Sequence, residues 1–406
     1  RSAVTWRAVL IGLLLIPLNA VWQVQSEAVL YLAHPTGFSL FFNVVWILFA
    51  LICINLLLKK LVPGHAFQQG ELITIYVMLC QSTALVGHSF MQILPPTLAA
   101  PEAWATPENG WKNLFGYLIP DWIVVSGPDV VGGYAGAAKD VSNFFNAPTI
   151  RAWLVPTMVW SAFLCVLVFV MLCINVLLRK RWTDQERLTY PIVQLPYEMT
   201  EPSLRLFHSP LFWASFVLVG ILDLINGLHV FYPVVPSLRT PMIDIGPMLF
   251  PKPPWNAVGG IMITFRPFLM GIILLIPLEI SFSCWALFFF WKAQLVFARL
   301  IGWQSSLRFP AQACGMYIGL TLIALWAGRR HIHGAITSIW DRLRDEARTT
   351  EEPMTYRAAS IGLFAGFALL TLFSVKAGMS LWSAVIYFVL YYMTDIGVTR
   401  IRAEVG

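Results

Sequence analysis

Phe38 to Leu58 is a run of 21 residues without a charge, and it stops at Lys59-Lys60. The same arrangement recurs at Trp153 to Leu178, which is closed by Arg179-Lys180-Arg181. A hydrocarbon layer of ~30 Å takes about 20 apolar residues of helix to cross. Backbone inside lipid must also satisfy its own hydrogen bonds, so each run reads as a transmembrane helix. Further segments of this kind are Ala8 to Leu32, Glu71 to Leu98, Pro210 to Phe231, Gly259 to Leu300, Ala311 to Gly328, Ala358 to Lys376 and Leu381 to Val398. The pattern predicts an all-α, polytopic α-helical integral membrane protein, a single domain over residues 1–406 with about 8 to 10 membrane segments.

Lysine and arginine clusters mark the cytoplasmic ends of such helices. They predict an inner (cytoplasmic) membrane location with the N-terminus in the cytoplasm. Residues 101–151 become a large outside loop carrying Gly127, Gly132, Gly133 and Gly136, and 233–256 a second one carrying Arg239, Asp244 and Lys252. Residues 182–208 and the charged stretch 329–357 fall inside. One conflict arises in Gly259 to Leu300, which is interrupted by Arg266-Pro267, Pro277-Leu278-Glu279 and Lys292. A single crossing there would leave Arg329 and Arg330 outside, so a broken or re-entrant element is expected, of the kind tolerated where backbone is buried in protein or lines a cavity. Gly362 and Gly366 form a GxxxG pair that lets a neighbouring helix approach closely, within the subunit or across a dimer.

Composition agrees: 58% hydrophobic and 12% charged residues with a mean hydropathy of +0.70 lie far from a soluble mixture. The net charge of +6 sits at helix ends and needs no nucleic-acid partner. All six cysteines lie in apolar segments as packing residues. The start at Arg1 and the end just past Arg400 and Arg402 imply residues missing at one or both ends, and no cleavable signal peptide is expected after Ala8 to Ala20. No HExxH, GxSxG, Walker loop or paired-cysteine motif is present, so the expectation is a non-enzyme without cofactor. His331-Ile332-His333 points its histidines to different helix faces, and no metal site is expected.

A charged side chain near the bilayer centre costs at least ~2.5 kcal/mol, so Asp223, Glu279 and Asp395 call for a reason. One reading is a proton or cation relay; the other is interhelical hydrogen bonding, or for Asp395 a place at the interface beside Arg400. Asp223 and Asn226 share a face near Gly220 and Gly227, and Pro277 can open a helix beside Glu279. Gln81, His88 and Gln92 form a second polar stripe at helical spacing, either on the pathway or as a bonded core contact.

The stretch Trp182-Thr183-Asp184-Gln185-Glu186-Arg187-Leu188-Thr189-Tyr190-Pro191 resembles the cytoplasmic segment of the oligopeptide transporter superfamily. The wider layout, through Ile73 to Gln92, Glu186 to Met199 and Thr399 to Gly406, is similar to an uncharacterised family of bacterial polytopic proteins labelled peptide-transporter-like. The resemblance implies proton-coupled secondary transport of small peptides or metal chelates. It departs from that superfamily in lacking an asparagine-proline-glycine signature. Glu186, Arg187, Thr189, Tyr190 and Pro191 then read as an inner gate, with proline redirecting the backbone. The other reading is a non-transporting scaffold or accessory subunit, docked through the two outside loops. Expected partners are the lipid bilayer, a small-molecule or peptide substrate, and a homo-oligomer or larger membrane complex.

Overall fold

The computed structural model describes residues 4–31, 33–37, 39–88, 90–127, 130, 146–236, 242–264, 270–271, 273–274, 276–303, 309–337 and 354–405. Ser89, Gly132, Gly133, Gly136, Arg239, Arg266 and Pro267 lie outside the described residues. The chain is an all-α, multi-pass membrane protein. Seven helical segments among the described residues are long and apolar enough to cross a bilayer: Trp6–Val29, Phe42–Leu61, Ala147–Gln185, Pro210–His229, Leu278–Leu300, Tyr356–Lys376 and Leu381–Val405.

The first bundle contains α1 (Trp6–Val24), α2 (Phe42–Leu61) and α3 (Gln69–Val86). Thr5 caps α1 by accepting from the Ala8 amide, and a capping box of Gln68 and Glu71 opens α3. Val44, Leu48, Ile52, Leu72, Ile75 and Leu79 fill the core between the helices. Asn55 at the end of α2 fixes the following loop by exchanging two bonds with Phe67, taking its amide at 2.6 Å and donating to its carbonyl at 3.1 Å. The second bundle holds α5 (Ala147–Lys180), α9 (Phe309–Thr337), α10 (Tyr356–Lys376) and α11 (Leu381–Val405). Asn146 and Thr355 cap the starts of α5 and α10. Between the bundles runs α6 (Pro191–Thr200), which touches α2, α3 and α11. It lies at the end of the molecule that carries Lys59, Lys60, Arg179, Lys180, Arg400 and Arg402, the basic end.

Two helices stand at the periphery. On α7 (Pro210–Phe231) none of the membrane-length window is buried within the chain, and on α8 (Leu278–Leu300) only 11% is. A short hairpin, β1 (Ile243–Asp244) with β2 (Met262–Ile263), leans on α8, where the buried Lys292 ammonium donates to the Val258 and Gly260 carbonyls at 2.9 and 2.7 Å. The described residues just past Asn256, expected within the membrane run from Gly259, thus belong in part to this hairpin.

Several sequence boundaries move for physical reasons. The third segment breaks at Gly87 and not at Pro95-Pro96; those prolines sit in the first turn of α4 (Leu94–Ala103), where a missing N–H is no loss. Pro277 precedes α8 as its cap, so it ends a loop and does not open a helix beside Glu279. The segment Ala311 to Gly328 belongs to a helix that carries on through Arg329, Arg330, His331 and His333 to Thr337. The last helix extends to Val405 because Thr189 and Tyr190 hold its final carbonyls, those of Glu404 and Ala403. Residues 182–208 are largely helical through α6, where a cytoplasmic loop was expected.

Gly362 and Gly366 do serve packing within the chain. A Cβ at Gly362 would meet Cys173 Sγ at 2.8 Å, and one at Gly366 would press into Val170, both on α5. Overpacking of this kind costs about 1–3 kcal/mol. Gly366→Ala should lower the thermal midpoint of the detergent-solubilised protein, and a Val170→Ala background should recover part of the loss.

Candidate functional site

The densest buried polar cluster centres on Glu27, a residue the hydrophobic pattern had absorbed into the first span. Asn19, Gln23 and Glu27 repeat every fourth residue and form a stripe on one helix face, all 0% exposed. Glu27 lies in a π-helical turn, Gln25–Val29, that continues α1. Such turns concentrate at functional sites because they re-aim a side chain without ending the helix.

Five donors converge on the Glu27 carboxylate. One oxygen accepts the Thr36 amide at 2.9 Å and the Thr36 hydroxyl. The other accepts Gln23 Nε2 at 3.4 Å, the His88 amide at 3.2 Å and Gln92 Nε2 at 3.1 Å. All five donors are uncharged, and no ion pair to Glu27 occurs among the described residues. A carboxylate offers about four lone-pair positions, so this one is filled as an anion. One glycine makes the closure feasible: a Cβ on Gly87 would run into Thr36 and lie 3.2 Å from Gln23 Nε2.

Below Glu27 the stripe joins α2 and α3 at Thr83. Asn19 Nδ2 donates to Thr83 Oγ1 at 2.8 Å and Asn43 Nδ2 to the same oxygen at 3.1 Å. Asn43 Nδ2 also reaches Asn19 Oδ1 at 2.8 Å, and Gln23 Nε2 donates to the Thr83 carbonyl at 2.9 Å. Two amide oxygens, Gln23 Oε1 and Asn43 Oδ1, are buried without a hydrogen-bond partner. An orphan acceptor of this kind costs ~1–3 kcal/mol.

The expected polar stripe is only partly assembled here. His88 and Gln92 meet Glu27 and each other, Nδ1 to Oε1 at 3.2 Å, from the turn after α3. Gln81 is exposed and stands apart. Asp223 is exposed on α7 with Asn226 half-buried nearby, and Gly220 and Gly227 face open space. Glu279 is exposed in the first turn of α8, at the end of a membrane-length helix and away from its middle. The structure therefore does not bring Asp223 and Glu279 into the cluster. The largest concavity among those described is elsewhere again: an apolar groove of about 540 Å³ between α5 and α10, lined by Phe163, Leu370, Phe373, Trp122 and Lys376.

A second constellation holds the basic end. Past the π-turn Arg181–Gln185 that extends α5, Glu186 accepts Arg181 Nε at 2.6 Å and the Arg400 guanidinium of α11. Arg181 also reaches the Ala327 carbonyl of α9 at 2.7 Å. Thr189 Oγ1 donates to the Glu404 carbonyl and the Tyr190 amide to the Ala403 carbonyl, both at 2.8 Å. Arg187 and Tyr190 take left-handed backbone, φ 50° and 46°, an uncommon state for non-glycine residues that turns the chain sharply into Pro191, the first residue of α6. Arg187 itself is exposed and Pro191 buried. The five expected gate residues thus form a tie between α5, α11 and α6.

Burial pushes the Glu186 carboxyl up, but the hydrogen bonds and charges of Arg181 and Arg400 outweigh it and hold the group below the ordinary carboxylate value. The unfolded chain then binds more protons than the folded one at intermediate acidity, so stability rises with pH there. This contribution should be complete above ~4.3, the ordinary glutamate pKa, and be lost as the pH falls through the lowered folded value; acid unfolding of Glu186→Gln should lack it. Removing the other glutamate strands its buried donors, so Glu27→Leu should cost ~3 kcal/mol or more, whereas Asp223→Leu on an exposed face should stay within ~0.5 kcal/mol by chemical denaturation.

Comparison with known proteins adds a family and no activity. No curated protein and no solved structure matches the chain. A family model described as a family of unknown function matches residues 1–406, the whole chain, and the protein that carries these two glutamate clusters is a member of that family, DUF6785.

Proposed function

We propose that the protein is a secondary active transporter of the cytoplasmic membrane, with its basic end and N-terminus in the cytoplasm. The observation that carries this reading is the Asn19–Gln23–Glu27 stripe. An anion and four buried amide or hydroxyl side chains, Asn19, Gln23, Asn43 and Thr83, are held inside apolar spans where intramembrane polar groups are costly and mark substrate or ion paths. The class of solute, small peptides or metal chelates, and the proton as driving ion rest on the resemblance around Glu186 to Pro191. The tie between α5, α11 and α6 is the inner gate in this reading, since α6 touches both bundles and its release would let them move apart.

The hairpin's position supports an interrupted element before α8. The Val258 and Gly260 carbonyls hold Lys292, roughly 21 Å along the axis from Leu278, so the hairpin packs against α8 far from its start. In this reading an interrupted element before α8 brings the number of crossings to parity, with Arg329 and Arg330 in the cytoplasm as the positive-inside rule asks.

The accessory-subunit reading is favoured by a different observation. None of the membrane-length window of α7 is buried within the chain, and it carries the exposed Asp223, which a partner helix or a second copy would cover. Purification in mild detergent with mass determination separates the two, because a stoichiometric foreign partner supports the subunit reading. For transport, proteoliposomes holding the protein should accumulate a member of a peptide and metal-chelate library when a cation gradient is imposed. Coupling unchanged in Asp223→Asn and Glu279→Gln would remove those two residues from the pathway, and no accumulation by any library member would sink the transporter reading.

A further inference from the structure

The two orphan oxygens of the first bundle point to an ion. Gln23 and Asn43 are both 0% exposed, and both amides bond to the same residue, Thr83, through their nitrogens. The neighbours determine the orientation of Gln23, and that of Asn43 as long as Asn19 keeps its own. Turning the Gln23 amide over would set its oxygen against the Glu27 carboxylate and the Thr83 carbonyl, and turning Asn43 would set oxygen against Asn19 Oδ1. Both Gln23 Oε1 and Asn43 Oδ1 therefore remain acceptors without donors in a region that also contains an unneutralised carboxylate.

We propose that this cluster binds one sodium ion, held by the Gln23 and Asn43 carbonyl oxygens with water completing its shell and the Glu27 charge neutralising it. Hard oxygen donors suit an alkali or alkaline-earth cation. A divalent ion is disfavoured because the cluster supplies one carboxylate, and that one is already occupied by five donors. A proton at Glu27 is disfavoured because it would take acceptor capacity from the Thr36, His88 and Gln92 N–H donors that the carboxylate now satisfies. The π-turn at Gln25–Val29 and the close approach at Gly87 draw the helices together at this level. The proposal rests on the transporter reading and puts sodium in place of the proton as its coupling ion, but its test reads binding and not transport.

The purified full chain should bind radioactive sodium saturably, with displacement by unlabelled sodium chloride and not by choline chloride at equal ionic strength. Glu27→Gln and Asn43→Ala, checked for folding by size-exclusion profile, should each weaken binding at least tenfold. Hydrogen–deuterium exchange of the unaltered protein provides a reading of location that needs no variant: sodium should slow exchange in peptides covering residues 19–27 and 83–92. Absence of saturable sodium binding by the folded wild-type protein would overturn the proposal and leave a water molecule to satisfy the two oxygens. Binding at wild-type strength in both folded variants, or protection confined to other segments, would overturn the site. Sodium binding without gradient-driven uptake of any solute would sink the transporter reading and leave the ion site standing.

Discussion

A carboxylate taken out of water must be compensated by whatever surrounds it, and at Glu27 that compensation organises the first bundle. Removing one partner from a buried charge costs several kcal/mol, because the charge then stands alone. Here the partners come from the helix that carries Glu27, from Thr36 in the link to α2, and from His88 and Gln92 in the link from α3 to α4. Three segments are thus fixed by one side chain, and the amide ladder beneath it through Asn19, Asn43 and Thr83 carries the same constraint down between the helices. Between lipid-exposed helices apolar burial gives little net drive, so hydrogen bonds and close packing must set helix positions.

The second bundle meets the same requirement differently. Its close packing comes from glycines, with Gly362 and Gly366 admitting α5, and Gly397 of α11 lying against the Tyr317 backbone of α9. Its half-buried glutamate, Glu186, is compensated by two arginines and not by neutral donors. Both glutamates nevertheless sit at π-turns that prolong a long helix, Gln25–Val29 and Arg181–Gln185. The wider turn redirects side chains without releasing the helix from its backbone bonds, which is useful where a charge must face inward at the end of a span. The two clusters lie at opposite ends of the molecule: α1 starts at the basic end, where Arg7 donates to the His65 carbonyl, and Glu27 stands at its other end.

Much of the helical layout was legible in the sequence because it depends on local hydropathy. The runs ending at Leu58 and Leu178 hold the helices Phe42–Leu61 and Ala147–Lys180 with their basic stops in place, and the GxxxG pair packs as its spacing implies. The Glu27 cluster was not legible, for a physical reason: its partners lie nine, 61 and 65 residues away, and none is charged. One acid near the end of an apolar run looks like an interface residue. The available signal was the four-residue spacing of Asn19, Gln23 and Glu27, a polar stripe in a helix with no need of one at its lipid face. Asp223 and Glu279 drew attention for the opposite reason, since an isolated charge in an apolar run is conspicuous whether or not anything surrounds it.

That contrast bears on how the peripheral helices are read. Intramembrane charges pair, face a bundle interior or face water. Lys292 on α8 obeys this rule within the chain, since it is buried, bonded to two loop carbonyls and stacked over Trp291 at 4.6 Å. Asp223 on α7 is exposed, and α7 touches the rest of the chain chiefly through Phe216 against Trp46 and Phe49. A largely apolar face that carries Asp223 and Asn226 is less suited to lipid than to a protein surface offering a donor. The α7 face is thus the surface that the accessory-subunit reading proposed above assigns to a partner helix or a second copy.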